Sequence, residues 1–184
     1  VQDRRTKKHY ETPQMLYMMI SATLFSNYKD NRMKYVKEYY DAISQFYISL
    51  PTPIMAGVRT PTRQFSSCVL IESGDSLDSI NATATSIVKY ISKKAGIGIG
   101  AGAIRALGAK IGDGSVVHTG LVPFLKYFQS AVKSCSQGGV RGGAATVYLP
   151  VWHYEFEDLV VLKNNKGTEE TRVRHMDYAF QFNK

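Results

Sequence analysis

The sequence has few of the residues that build disulfide frameworks, metal centres or membrane spans. Its two cysteines, Cys68 and Cys135, lie far apart and match neither a disulfide scaffold nor a zinc site. The four histidines are scattered without the spacing of metal ligands, so no metal site is expected. Apolar runs are too short and interrupted to cross a bilayer, and the basic N-terminus leads into no signal-type segment. These absences predict a cytoplasmic protein without membrane contact.

The residues that are present predict a folded, basic protein. Hydrophobic residues make up 44% of the 184 positions and charged residues 21%, which is enough apolar material for a buried core. The net charge of +8 favours anionic partners such as nucleotides. The positive charges are dispersed, and the single basic run near the start is typical of a solvated face, so no nucleic-acid site is expected. Both ends resemble cuts in a longer parent chain.

Two helices are predicted in the first fifty residues. Thr12 and Pro13 have the pattern of an N-cap and a first helical position, and an apolar segment follows them. A second helix is predicted from about Asn31 to Ser49 by apolar residues at three- and four-residue spacings. Leu50-Pro51-Thr52-Pro53 should end it, because proline disfavours helix in the residue before it.

The remainder of the chain alternates between predicted strands and helices, which indicates an α/β domain with parallel strands. Predicted strands cover Ile54–Val58, Phe65–Ile71, Ala145–Val151 and Met176–Phe182. Predicted helices cover residues 75–94, 119–134 and 155–163. Two glycine-rich stretches, GIGIGAGAIRALG and SQGGVRGGAAT, are predicted as loops.

Several residues have both a structural and a functional interpretation. Either glycine-rich stretch can be a structural loop or a cradle for phosphate, because glycine lets backbone N–H groups approach an anion. Arg141, between glycine pairs, can reach an anion or a base. Cys68 fits a core cysteine on a buried strand, or a redox thiol. Asp75 fits an N-cap, with Ser76 in support, or a carboxylate that accepts a hydrogen bond from a sugar.

Longer strings are more specific. ETPQMLYMMI, PTRQFSSCVLIESGDS, KKAGIGIGAG, AVKSCSQGGVRGGAATVYLPVWH and VLKNNKGTEETRVRHMDYAF closely resemble the large subunit of class I ribonucleotide reductases, in order and over nearly the whole chain. The resemblance implies a helical lead-in (residues 1–50) followed by the first part of a ten-stranded α/β barrel (residues 51–184). It also implies radical-based reduction of ribonucleotides, usually diphosphates, to deoxyribonucleotides.

The resemblance assigns the substrate side. QFSSC implies that Cys68 is one of two reductant cysteines that form a disulfide during turnover and are reset by thioredoxin or glutaredoxin. The second reductant cysteine and the radical cysteine would lie beyond residue 184, and Cys135 would be structural. Thr52, Ser67 and Gly96 resemble substrate-contacting positions, with Thr52 at the phosphates.

The effector side is assigned in the same way. GDSLDSI implies that Asp75, Ser76 and Leu77 open a site for a deoxynucleoside triphosphate or ATP effector, and Arg105 resembles the arginine that binds its phosphate. Some members carry a second basic residue where this chain has Gly112, and Lys110 is a candidate substitute. A mobile specificity loop between effector and substrate is implied for Gln137, Gly138, Gly139, Val140, Arg141 and Gly142.

The resemblance implies partners as well. The predicted helices 75–94 and 119–134 resemble those that pair in a homodimer, although ordinary core packing would also explain them. A small subunit would generate the radical and hold the radical cofactor, so this chain is expected to bind no cofactor directly. The alternative is a non-catalytic nucleotide-binding or dimerisation module derived from this family.

Overall fold

The computed structural model describes residues 2–3, 5–61, 63–137, 139 and 141–183. Within it the chain forms two compact units, Val1–Ser67 and Cys68–Lys184. The predicted domain boundary after residue 50 stays a prediction about the parent protein. No helix in the described ranges is both long and apolar enough to span a bilayer.

The first unit contains three helices: α1 (Pro13–Leu24), α2 (Arg32–Ser44) and α3 (Thr52–Gly57). The start of α1 is confirmed, because the Thr12 hydroxyl accepts a hydrogen bond from Met15 N at 3.2 Å and proline occupies the first turn. Helix α2 ends before the predicted residue 49, and Phe46 beyond it has a left-handed backbone with φ 62°.

The strand predicted over Ile54–Val58 is wrong, because these residues fall in and just after α3. Proline stops a preceding helix but also suits the first turn of a new one, where its missing N–H has no partner to lose. Pro51 caps α3, and its carbonyl accepts hydrogen bonds from Ile54 N (3.0 Å) and Met55 N (3.2 Å).

The second unit is an α/β unit with parallel strands, as predicted, and its main sheet has four of them. The strands are β1 (Cys68–Glu72), β2 (Gly96–Gly100), β7 (Ala145–Pro150) and β8 (Asp177–Gln181), in that spatial order. Helices α4 (Leu77–Ser92), α5 (Leu121–Ser134) and α6 (Phe156–Leu159) confirm the predicted helices within a few residues at each end, although α6 is shorter. Two small hairpins complete it: β3 (Lys110–Ile111) with β4 (Val116–Val117), and β5 (Ser136–Gln137) with β6 (Arg141–Gly142).

Strand β2 corrects the prediction that the first glycine-rich stretch is a loop from its start. Ile97 and Ile99 are buried in the core, whereas the alternating glycines occupy the opposite face of the strand. A Cβ on Gly98 would lie 2.4 Å from the Leu70 side chain of β1. Glycine therefore serves close packing of neighbouring strands here, and only the segment after Gly100 is a loop.

One apolar core lies between the sheet and the α4–α5 pair. Ile87 and Ile91 of α4, Phe128 and Val132 of α5, and Val147 of β7 are all fully buried. Burial of side chains of this size is worth about 1.5–3 kcal/mol each, so this core fixes the ends of the strands in place.

Candidate functional site

An acidic and a basic side chain meet beyond the carboxyl ends of β1 and β2. Arg105 donates from its backbone N to Asp75 Oδ1 at 2.7 Å and from Nε to Asp75 Oδ2 at 2.6 Å. Asp75 follows β1 and Arg105 follows the adjacent β2, so the parallel pairing brings them together across 30 residues of sequence. About a third of each side chain stays exposed (31% and 38%), so the pair can still contact a ligand. The carboxyl edge of a parallel sheet is where α/β proteins commonly bind ligands.

The N-cap of α4 is Ser76, which corrects the interpretation of Asp75 as the cap. The Ser76 hydroxyl accepts from Ser79 N at 3.2 Å, and Leu77 is the first helical residue. Asp75, one position earlier, does not cap the helix, and its carboxylate binds Arg105 instead. The structure thus brings Asp75, Ser76 and Arg105 to one edge of the unit, with the side chain of Leu77 68% exposed beside them.

The segment after Arg105 folds back on itself before α5 begins. Arg105 Nη1 donates to Lys110 O at 2.9 Å, Gly108 N donates to His118 O at 2.9 Å, and His118 N donates to Ala109 O at 2.8 Å. Lys110 therefore lies next to Arg105, at the base of the β3–β4 hairpin. Gly112 lies within that hairpin with a left-handed φ of 58°, and a Cβ there would meet open space.

Two residues that the sequence analysis missed hold this segment in place. The Glu155 carboxylate oxygen Oε2 accepts from Leu107 N at 3.0 Å and from Leu121 N at 2.9 Å. His153 Nε2 lies 2.9 Å from Ile104 O, within hydrogen-bond distance. Both residues follow β7, about fifty residues from the loop they contact. No local pattern marks them, since a histidine and a glutamate after a strand occur widely.

Cys68 is exposed at the start of β1 and forms no disulfide, so the core-cysteine interpretation is wrong. In the sheet register it pairs with Gly96, a second predicted substrate position. A shallow depression of about 220 Å³ lies over this face, lined in part by Cys68, Gly96, Tyr148 and Asp177. The β2 residues on this face are glycines, so no β2 side chain projects from the sheet beside the Cys68 thiol.

The other predicted substrate positions lie in the first unit. Thr52 is the exposed first residue of α3, and Ser67 is exposed at the end of the unit. Cys135 directly follows α5 as a half-buried free thiol. No disulfide joins Cys68 and Cys135.

The predicted specificity loop follows α5 and forms the β5–β6 hairpin. Gln137 pairs with Arg141, Gly139 has φ 73°, and Arg141 and Gly142 are exposed. Gly138 and Val140 of this loop lie outside the described residues. Among the residues that are described, no group of three or more potential metal ligands is found.

The chain is therefore an α/β protein: helices precede a unit with a parallel sheet, and polar residues lie at the carboxyl edge of that sheet. The ribonucleotide reductase barrel domain matches residues 66–184, and the all-alpha domain of ribonucleotide reductase matches residues 2–63. The chain belongs to the ribonucleotide reductase family.

Particular relatives are close in sequence. Ribonucleoside-diphosphate reductase subunit alpha of Haemophilus influenzae is 70% identical over 185 aligned positions. Ribonucleoside-diphosphate reductase 1 subunit alpha of Escherichia coli is 67% identical over 185, and the subunit alpha of phage T4 is 63% identical over 183. Each alignment covers 100% of this chain but 24% of the relative, so the chain spans about a quarter of their length. The class Id alpha subunit of Actinobacillus ureae shares the fold, with a TM-score of 0.72 and 19% identity over 94% of this chain and 30% of that one.

Proposed function

We propose that this chain is part of the large subunit of a ribonucleoside-diphosphate reductase and carries its specificity-effector site, part of its substrate site and one reductant cysteine. The parent enzyme would reduce ribonucleotides to deoxyribonucleotides by thiyl-radical chemistry. The support is the family membership together with the 63–70% identity to subunits of that name.

The Asp75–Arg105 pair carries the effector part of the proposal. A carboxylate accepts hydrogen bonds from sugar hydroxyls, and a guanidinium binds phosphate oxygens through several N–H groups. The two groups lie within 2.6 Å of each other, so one nucleotide can contact both at once. The adjacent N-terminus of α4 adds a partial positive charge that favours an anion.

Cys68 carries the redox part. Its thiol lies exposed on the sheet face that also bears Gly96, where a substrate and a second thiol have room to approach. In the proposed step, Cys68 and a second cysteine of the parent are oxidised to a disulfide, and two electrons and two protons pass to the substrate as its hydroxyl leaves as water. Thioredoxin or glutaredoxin would then reduce the disulfide.

The proposed assembly rests on the resemblance to the large subunit. Helices α4 and α5 would pair with a second copy of the subunit, beside the effector site. The β5–β6 hairpin would pass the identity of the effector base to the substrate site. A small subunit would supply the radical.

Calorimetric titration of the full-length subunit with dTTP, dATP and dGTP tests the effector site. We expect micromolar or tighter binding. Asp75→Ala and Arg105→Ala should each raise the dissociation constant by about tenfold or more, since a hydrogen bond to a charged group contributes about 1.5–3 kcal/mol.

Glu157→Ala is the matched control, because it removes an exposed carboxylate on α6 that makes no hydrogen bond or ion pair with Asp75 or Arg105. It should leave the dissociation constants unchanged, and thermal melts should show that all variants are folded. A folded wild-type subunit that binds none of the three nucleotides would refute the effector site.

A further inference from the structure

We infer that Glu155, assisted by His153, is a positioning residue that holds the Arg105 loop in its ligand-binding shape and fastens it to the start of α5. The inference rests on the proposed effector site for its functional consequence. Its geometric content, a clamp on residues 104–109, stands independently of that site.

The Glu155 carboxylate joins two segments that are separate in sequence. Oε2 accepts from Leu107 N at 3.0 Å and from Leu121 N at 2.9 Å. Leu107 lies two residues after Arg105, and Leu121 is the first residue of α5. The carboxylate therefore connects the outgoing arm of the loop to the N-terminal end of α5, where a negative charge is favoured by the helix dipole.

His153 holds the other side of Arg105. Its Nδ1 accepts from Glu155 N at 3.2 Å, which leaves Nε2 to carry the proton and donate to Ile104 O at 2.9 Å. Arg105 is consequently bracketed, with Ile104 fixed on one side by His153 and Leu107 on the other by Glu155. Both brackets come from the short segment after β7.

The Glu155 carboxylate packs closely against Gly120. Gly120 precedes α5 with φ 92°, and a Cβ on it would lie 2.7 Å from Glu155 Oε1 and 3.2 Å from Leu107 Cβ. The glycine thus leaves the space that the carboxylate occupies between the two segments.

The clamp has a thermodynamic consequence for binding. A loop that is already ordered loses less conformational entropy when its ligand arrives, so affinity is higher than for the same residues on a free loop. Since α5 leads directly into the β5–β6 hairpin, the oxygen that orders the Arg105 loop also fixes the start of the helix that carries the specificity hairpin.

The test uses the full-length subunit with Glu155→Ala, the conservative Glu155→Gln, and Glu157→Ala as matched control. Hydrogen–deuterium exchange without nucleotide measures how strongly the clamp protects residues 104–109 and Leu121. A dTTP titration measures how the clamp affects the affinity for the effector. In Glu155→Ala the N–H groups of Leu107 and Leu121 lose their acceptor. We therefore expect amide exchange at residues 104–109 and at Leu121 to become faster by about tenfold or more. In activity assays of the full-length subunit combined with its radical-generating small subunit, the dTTP concentration for half-maximal stimulation should rise by about tenfold, while kcat at saturating dTTP stays at the wild-type value. Glu155→Gln, which keeps an acceptor oxygen, should show smaller shifts in both, and Glu157→Ala none.

The outcomes separate the two ideas. Unchanged exchange at residues 104–109 in folded Glu155→Ala would overturn the clamp. Faster exchange with unchanged dTTP response would overturn the positioning role, leaving Glu155 a purely stabilising residue. If the wild-type subunit binds no nucleotide, the proposed effector site fails, and the exchange data alone still decide whether the clamp exists.

Discussion

At the scale of single residues, Gly120 combines two constraints: a backbone conformation with positive φ and too little space for a Cβ. Its φ of 92° is disfavoured for residues with a Cβ, and Glu155 Oε1 would lie 2.7 Å from that atom. Gly108 has a similar φ of 80° but open space around its would-be Cβ. An alanine at Gly108 would therefore meet only a conformational cost, whereas one at Gly120, where ψ is 177°, would meet both crowding and a backbone conformation that is essentially restricted to glycine.

Gly108→Ala should destabilise the protein by about 1 kcal/mol, the usual cost of a left-handed non-glycine residue. Gly120→Ala should cost about 1–3 kcal/mol more, because its backbone conformation is essentially restricted to glycine and the methyl group also forces the carboxylate away from Leu107 and Leu121. Urea unfolding of both variants gives the difference. Equal losses would mean that both the backbone at Gly120 and the Glu155 side chain adjust at little cost.

The resemblance named Asp75 and Arg105 as two effector-binding positions, and the structure places them in direct contact, which was not predicted. Neither the sequence patterns nor the resemblance indicated Glu155 or His153, because their contacts with the loop are tertiary hydrogen bonds to backbone atoms. Any residue type can donate or accept such a bond through its main chain, so the loop sequence carries no mark of its partner. The effector and redox roles themselves stay predictions.

At the scale of elements, one ion pair connects the start of α1 with the end of α3 in the first unit. Arg59 Nη1 and Nη2 donate to Glu11 Oε1 and Oε2 at 2.7 and 2.8 Å, and about a fifth of each side chain is exposed. The hydrogen bond from Arg59 is the main cause that lowers the pKa of Glu11 from 4.5 to about 2. Such planar, two-point pairs hold a geometry that a single contact would not.

This pair predicts a specific pH dependence. A carboxyl group with a depressed pKa stabilises the folded state above its unfolded pKa, and that stability is lost as the pH falls through the folded value. The contribution of Glu11 should therefore be complete above pH 4.5 and disappear between about pH 4.5 and 2. NMR titration of the Glu11 carboxyl carbon in the 184-residue chain should give a midpoint near 2, and Arg59→Gln should return it toward 4.5. A wild-type midpoint near 4.5 would show that the pair does not persist in solution.

Helices and strands were predicted correctly where buried apolar residues repeat at regular spacing along the element. Helices α4 and α5 were predicted well, because one face of each packs on the sheet and repeats at helical spacing. Strand β2 was not, because three of its five residues are glycines, which have low strand propensity, and Gly98 allows close packing against Leu70 of β1. Helix α3 was mistaken for a strand because its prolines were interpreted as stops alone.

At the scale of the whole molecule, the two units differ in how much apolar material they bury. Among the described residues of the first unit, the large buried apolar side chains are Ile20, Val36 and Ile43. The second unit has one hydrophobic core, and the buried residues that form it are spread along the chain between Ile80 and Met176. The stability of a region rises with the apolar surface it removes from water.

Hydrogen exchange of the 184-residue chain should accordingly show two levels of protection. Amides of β2, β7 and α5 should exchange only through global unfolding of the second unit, whereas those of α1 and α2 should exchange through an opening of lower free energy. Mass spectrometry of peptic fragments over increasing urea distinguishes the levels. A single level shared by all helices and strands would indicate one cooperative unit instead.

The order of the parallel strands has a consequence for biosynthesis. Along the sheet, β1, β2, β7 and β8 follow one another in the order in which they are translated. Each strand that leaves the ribosome therefore meets an edge completed by earlier residues and needs no partner that is still unsynthesised. Among the described strands, each addition covers the edge left open by the last, so a paused ribosome would present the edge of the newest strand, together with the outer edge of β1, to chaperones.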